Sequence, residues 1–200
     1  MKIILLTTTI CLFTFNSNAQ SNFQFWKMAN DKNKVGDFEG AIQIMNEAIK
    51  NDPKYAPHYY TRADSKFRMK DYNRAKSDFL KTLDLQPQHY TARKGLADCK
   101  LALKDYTGAL KDYDLVIANN DSNSDYYQGR GITKFYLQDY DGAINDLDKS
   151  IYLKAYTKSY YYRALTKYEL DDIQGACKDY SHISDKTTEY KNEKLTEICE

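Results

Sequence analysis

Glycine and proline are scarce in this 200-residue chain, at 8 and 3. Architectures rich in tight turns depend on both, which argues against a β-sandwich or barrel. Charge of either sign is not in excess, with 29 Lys and Arg against 28 Asp and Glu. A duplex nucleic-acid binder needs a basic surplus, because phosphate neutralisation dominates its affinity. Metal-binding spacings are missing too. None of His58, His89 and His182 has a second His or Cys at i+3 or i+4, and there is no Cys-x2-Cys. G-x-S-x-G, P-loop and Rossmann glycine patterns are absent. No enzyme, metal or cofactor is expected. What is plentiful is tyrosine, at 19 residues.

Residues 1–19 differ from the rest. Lys2 is followed by a mostly apolar run, Ile3 to Phe15, and Ser17-Asn18-Ala19 ends on a small residue. This pattern predicts a secretory signal peptide cut after Ala19. The alternatives are an uncleaved anchor or a lipoprotein signal. The run is short for a spanning helix, which needs about 20 apolar residues. Cys11 lies inside the run, too early for lipid attachment. Lys2 is the only charge here, so the mature chain has 28 basic and 28 acidic residues. No later stretch could insert in a membrane. An exported chain meets an oxidising compartment. Three cysteines remain there, Cys99, Cys177 and Cys199, so at least one is unpaired.

The rest of the chain is periodic. Gln138-Asp139-Tyr140-Asp141-Gly142-Ala143-Ile144 has echoes at Lys104–Leu110, Lys70–Lys76, Gly36–Ile42 and Asp172–Ala176. The alanines 41, 75, 109 and 143 are each 34 residues apart, and Ala176 follows after 33. A period of this length marks stacked supersecondary units. Apolar residues at helical spacing flank each echo. Asp37, Asp71, Asp105, Asp139 and Asp172 stand where a carboxylate caps a helix. The capped helices are predicted as Phe38–Asn51, Tyr72–Leu85, Tyr106–Ala118, Tyr140–Leu153 and Ile173–Ser184. The helices before them are Asn22–Lys34, Ala56–Met69, Tyr90–Leu103, Ser124–Leu137 and Lys158–Leu170. Pro53 and Pro87 stop two of them. A last polar helix, Thr187–Cys199, looks like the solvating cap that stacked repeats require.

This pattern resembles the tetratricopeptide repeat, W-x2-L-G-x2-Y…A-x3-F…P. Ala75/Phe79, Ala109/Tyr113 and Ala176/Tyr180 match the A-x3-aromatic part, while Ala41/Met45 and Ala143/Leu147 keep it apolar. The tryptophan slot holds Phe25, Tyr59, Tyr127 and Tyr160, but Arg93 in the third repeat. The resemblance implies an all-α fold: a right-handed superhelical α-solenoid of about five helix-turn-helix repeats. They are residues 22–55, 56–89, 90–123, 124–157 and 158–185, with a capping helix in 186–200. The ending Asn-Ala-Gln also resembles exported proteins of Bacteroidota. Oligomeric state is open.

Arg62, Arg130 and Arg163 occupy a slot that is usually apolar, and each has an aspartate 16 residues later: Asp78, Asp146 and Asp179. In the first repeat both slots are apolar, Met28 and Ile44. The joint swap predicts ion pairs joining the two helices of a repeat, with an anion site as the alternative. In the third repeat, Asp112 faces Leu96, and Arg93 is one turn earlier. Lys32, Lys66, Lys100, Lys134 and Lys167 also recur. They either share these aspartates or form a cationic ladder for an acidic polymer.

In the family, first helices line a concave groove. That implies a face of Trp26 and Asn30; Tyr60, Asp64 and Phe67; Lys94 and Asp98; Gln128, Ile132, Phe135 and Tyr136; and Tyr161, Leu165 and Tyr168. Phe67, Phe135 and Tyr168 read equally as core. The family's carboxylate clamp is absent: Asn30 matches one of its slots, but Trp26, Thr61, Thr91 and Gly95 fill the others. The resemblance implies a protein–protein interaction scaffold that binds an extended peptide or partner protein in this aromatic groove. A glycan- or cell-wall-binding module is the alternative, since tyrosines also hold sugar rings. The slot of Cys177 faces the next element in the family, here the helix with Cys199, so a disulfide between them would pin the cap. His58 and His89 fall near helix starts and are expected at the surface.

Overall fold

The structure is a computed structural model describing residues 3–183 and 190–199, with side chains for 19–183 and 190–199. Its helices form consecutive hairpins: α1 (Ile3–Lys34) with α2 (Phe38–Asn51), α3 (Ala56–Arg68) with α4 (Tyr72–Leu85), and α5 (Tyr90–Ala102) with α6 (Tyr106–Asn119). Then come α7 (Ser124–Tyr136) with α8 (Tyr140–Leu153), α9 (Thr157–Glu169) with α10 (Ile173–Ser181), and a final helix, α11 (Glu193–Cys199). The described residues contain no strand.

The turns are built one way. Gly36, Lys70, Lys104, Gln138 and Asp171 have φ of 81°, 62°, 64°, 62° and 60°, the left-handed region. The next residue is the capping aspartate. Asp37, Asp71, Asp105, Asp139 and Asp172 accept the backbone N–H three residues on, at 2.9 to 3.2 Å. Each such cap stabilises its helix by about 1 kcal/mol. Ala41, Ala75, Ala109, Ala143 and Ala176 are fully buried at the helix crossings. Met45, Phe79, Tyr113, Leu147 and Tyr180, one turn on, are the buried large residues. Burying each contributes about 1.5–3 kcal/mol. The crossing of Gly129 with Tyr113 is closer still, since a Cβ on Gly129 would lie 2.3 Å from the ring.

The chain divides into two compact units, Met1–Ala92 and Arg93–Glu200, with the division inside α5. In the first unit, α2 packs on α1 and α3, and α4 packs on α3. In the second, α7 packs on α6 and α8, α9 on α8 and α10, and α11 on α10.

Three expectations need correction. The first helix starts at Ile3, not Asn22, since residues 3–34 contain no glycine or proline to break it. The capping helix is only Glu193–Cys199, because Tyr190, Lys191 and Asn192 lie outside it and the Asn192 side chain caps α11, accepting the Leu195 N–H at 3.0 Å. Residues 187–189 of the expected cap, and Ser184, lie outside the described residues. His58 is buried, at 1% exposure. Its Nε2 meets Asn22 Oδ1 at 3.0 Å, and Asn22 donates to Asp52 at 3.1 Å. Burial holds its pKa below the ordinary value, against the pull of Asp52.

Candidate functional site

Two sets of polar and aromatic side chains stand out, and they do different work. The first joins the helices of each hairpin. Arg62 grips Asp78 through Nε and Nη2 at 2.8 and 2.7 Å. Arg130 grips Asp146 at 2.8 and 2.7 Å, and Arg163 grips Asp179 at 2.8 and 2.5 Å. A lysine one turn on completes each cluster: Lys66, Lys134 and Lys167 lie 2.7, 2.8 and 2.8 Å from the same carboxylates. In the third hairpin Asp112 takes Lys100 at 2.6 Å and Arg93 at 3.3 Å. The planar guanidinium suits such two-point contacts. Burial raises the Asp179 carboxyl, but Arg163 and Lys167 outweigh it and hold the pKa below the ordinary value.

The remaining guanidinium nitrogen was not anticipated from sequence. Nη1 of Arg62, Arg130 and Arg163 reaches back to the preceding hairpin, to Asn46, Asp114 and Asp148 at 2.7, 2.8 and 2.5 Å. Each arginine thus ties three helices. Tyr59, Tyr127 and Tyr160, in the tryptophan slot, lie beside these guanidiniums at 5.6, 5.6 and 5.5 Å. Four of the recurring lysines lie in these carboxylate clusters, and Lys32 binds the capping Asp37 at 2.7 Å.

The expected groove residues divide. In the first unit Trp26 is 43% exposed and rests on Phe23, with ring centroids 5.8 Å apart. Asn30 is half-buried. Tyr60 packs on Phe79 at 6.0 Å and stacks on His89 at 4.9 Å. Asp64 is bound by Arg68 at 2.9 Å. In the second unit Lys94 pairs with Asp98 at 2.7 Å, and Asp98 accepts the Tyr113 hydroxyl at 2.6 Å. Burial would lower the Lys94 pKa, but Asp98 reverses this and raises it. Gln128 is half-buried, and its amide donates to Ser159 Oγ at 2.9 Å, which meets Ser150 at 2.9 Å, so it links hairpins. Asp98 is likewise already satisfied.

What remains in the second unit is a continuous row of tyrosines. Tyr106 stacks on Tyr136 with centroids 4.9 Å apart and planes at 7°. Tyr136, 44% exposed, meets Tyr162 hydroxyl to hydroxyl at 3.1 Å. Tyr162 touches Tyr161 at 5.4 Å, and Tyr161 touches Tyr190 at 5.5 Å. Burial, then the bond to Tyr136, raises the Tyr162 pKa, and burial raises that of Tyr161. The row is neutral.

The sequence model described as tetratricopeptide repeat matches residues 60–124. No curated protein matches the chain. Among solved structures, MamA from Desulfovibrio magneticus RS-1, residues 41 to the end, is 20% identical with a TM-score of 0.75 over 82% of this chain and 93% of that one. A tetratricopeptide repeat protein from Parabacteroides merdae ATCC 43184 is 20% identical with a TM-score of 0.63, covering 88% and 68%. TTC0263, a thermophilic TPR protein of Thermus thermophilus, is 15% identical with a TM-score of 0.66, covering 88% and 94%. The chain contains tetratricopeptide repeats. Its fold is the all-α helical-repeat solenoid. Such folds typically serve as protein–protein interaction scaffolds and are generally non-enzymatic.

Of the tyrosine row, Tyr136 and Tyr161 are expected from the sequence, and Tyr106, Tyr162 and Tyr190 are not. Tyr106 begins a second helix, where an aromatic recurs as Phe38, Tyr72 and Tyr140, so it read as part of the turn. Tyr162 and Tyr190 join the row only through tertiary packing. The described part of the C-terminus is covalently fixed: Cys177 and Cys199 form a disulfide, with Cα atoms 5.2 Å apart. Cys99 is fully buried. Among the described residues no helix is long and apolar enough to cross a membrane, and no three His, Cys, Asp or Glu side chains gather to hold a metal.

Proposed function

We propose that this tetratricopeptide-repeat protein is an exported scaffold that holds an extended peptide segment of a partner protein against the first-helix faces of its hairpins. The tyrosine row of the second unit is the main contact. The observation carrying this reading is Tyr136, a large ring 44% exposed yet fixed by Tyr106 and Tyr162. A rigid, amphipathic anchor of this kind is typical of binding hot spots. The charges near this face are already neutralised, Asp64 by Arg68 and Lys94 by Asp98. Binding should therefore depend little on salt. A peptide fits better than a glycan, because sugar stacking needs an open ring face. Here Tyr106 and Tyr136 cover each other, as do Tyr60 and His89. Lys2, the apolar run Ile3–Phe15 and the Ser17-Asn18-Ala19 ending support export, and the Cys177–Cys199 bond suits an oxidising compartment.

The test is crosslinking and pull-down from the native cell envelope, comparing wild type with Trp26→Ala/Tyr136→Ala. Both side chains are exposed, so the variant should keep its fold by circular dichroism. Recovered partners should be lost, and the affinity for a purified one should fall by about 2 kcal/mol or more. Equal recovery of the same partners by the variant overturns the groove reading.

A further inference from the structure

Residues 190–199 lie across the end of the tyrosine row. Tyr190 sits edge-on to Tyr161 at 5.5 Å. Lys194 lies 5.9 Å from the Tyr168 ring, and Thr196 Oγ1 meets the Tyr180 hydroxyl at 3.0 Å. Leu195 is fully buried in a cluster with Ala164, Ala176, Tyr180 and Ile183, against which Tyr161, Leu165 and Tyr168 also pack. The last three fall four and three residues apart on α9, a single helical face. The segment therefore occupies the stretch of first-helix face that continues the row past Tyr136. Its own helix has seven residues, too few to persist without tertiary support. Besides these contacts, Leu195 fills its pocket and the Cys177–Cys199 bond, the one covalent attachment, ties the far end. Neither cysteine is fully buried.

We propose that residues 190–199 are a redox-held strap over the binding face, closed by the disulfide and released when a dithiol reductant cleaves it. This inference rests on the tyrosine row being the partner-binding face. In the opening step a thiolate of the dithiol attacks Cys199 Sγ. The S–S bond breaks, Cys177 leaves as a thiolate, and a mixed disulfide forms on Cys199. The reductant's second thiolate then closes its own disulfide and expels the Cys199 thiolate. Two electrons pass from the dithiol to the cystine, and each released thiolate takes a proton from solvent. Once the bond is cut, only non-covalent packing around Leu195 holds a seven-residue helix; when that packing opens, Tyr161, Leu165 and Tyr168 become accessible and lengthen the face begun by Tyr136.

Hydrogen exchange read by mass spectrometry tests this on the full chain, oxidised, reduced with dithiothreitol, and as Cys177→Ser/Cys199→Ser. Amides of residues 193–199 should exchange at least tenfold faster in the reduced chain and in the variant. Those of α7 and α8 should be unchanged, showing that the rest remains folded. Equal exchange in all three forms overturns the strap. The binding arm uses a random 12-residue peptide library displayed on phage. The reduced chain should select peptides that the oxidised chain does not, and Tyr161→Ala in the reduced chain should abolish that selection. Peptides selected equally by both forms overturn the gating. A strap that opens while neither form selects any peptide instead overturns the proposed peptide-binding face.

Discussion

The first and fifth hairpins solve one crossing in opposite ways. In the first, both slots are apolar: Ile44 packs against Ala29, Ala41, Met45 and Ala48, while Met28 is 55% exposed. In the fifth the same slots hold Arg163 and Asp179, joined by Lys167 and tied to Asp148 of the preceding hairpin. In the second, fourth and fifth hairpins the ionic version joins three helices. Desolvating two ions removes most of what their attraction returns, so the ionic version adds little net stability over an apolar pair. What it adds is a directional link between consecutive hairpins.

Breaking one ionic crossing should have the largest effect. Asp179→Ala takes the carboxylate from Lys167 and leaves Arg163 with Asp148 alone, and should destabilise by about 3–5 kcal/mol in urea unfolding. Converting a later crossing to the first hairpin's form, Arg130→Met with Asp146→Ile, should change stability by less than about 1.5 kcal/mol. Lys134 then turns to the capping Asp139, as Lys32 does to Asp37. If the double variant is as damaged as Asp146→Ala alone, the two solutions are not interchangeable.

The disulfide marks the second contrast, since the fifth hairpin is closed by a covalent cap and the first is not. With a sequence separation of 22, Cys177→Ala/Cys199→Ala should reduce the stability of the capped unit by about 3 kcal/mol. Unfolding of the oxidised wild type and the variant measures this.

The turns offer a smaller test. Gly36 takes a left-handed φ without strain, whereas Gln138 takes it with a side chain. Gly36→Ala should lose about 1 kcal/mol, and Gln138→Gly should gain up to about 1 kcal/mol. Opposite signs in thermal unfolding would break the comparison.

The smallest expected effect is on pH dependence. His58 has a folded pKa below the ordinary 6.5. Its neutral form is the one the fold favours, so its contribution is complete above that value and falls away as pH drops below it. Asp179 has a folded pKa below 3.8, so its contribution persists above 3.8 and is lost as pH falls through the lower folded value. The first unit should thus begin to weaken as pH falls below about 6.5, while the fifth hairpin holds until more acid conditions. Hydrogen exchange at stepped pH, with His58→Gln as control, reads the difference.

Much of this molecule was legible in the chain itself. The 34-residue period placed the alanine crossings, and four second helices end within a residue of the pattern's limits. Local rules suffice there: an aspartate cap satisfies a backbone N–H three residues away, and a small residue recurs where helices cross. The Arg–Asp spacing of 16 residues was legible because both partners lie within one hairpin. The reach of Arg62, Arg130 and Arg163 to the previous hairpin was not, nor was the burial of His58 beside Asn22, 36 residues earlier. The same holds for the tyrosine row. Sequence determined that tyrosines would recur on first helices. Only tertiary packing decided that Tyr106, Tyr136, Tyr162, Tyr161 and Tyr190 touch in turn, that Gln128 is bonded to Ser159, and that Tyr161 ends under the C-terminal segment. A repeat fixes what each hairpin does for itself, because those contacts are short in sequence. Which side chains remain open depends on what the neighbouring hairpin leaves uncovered.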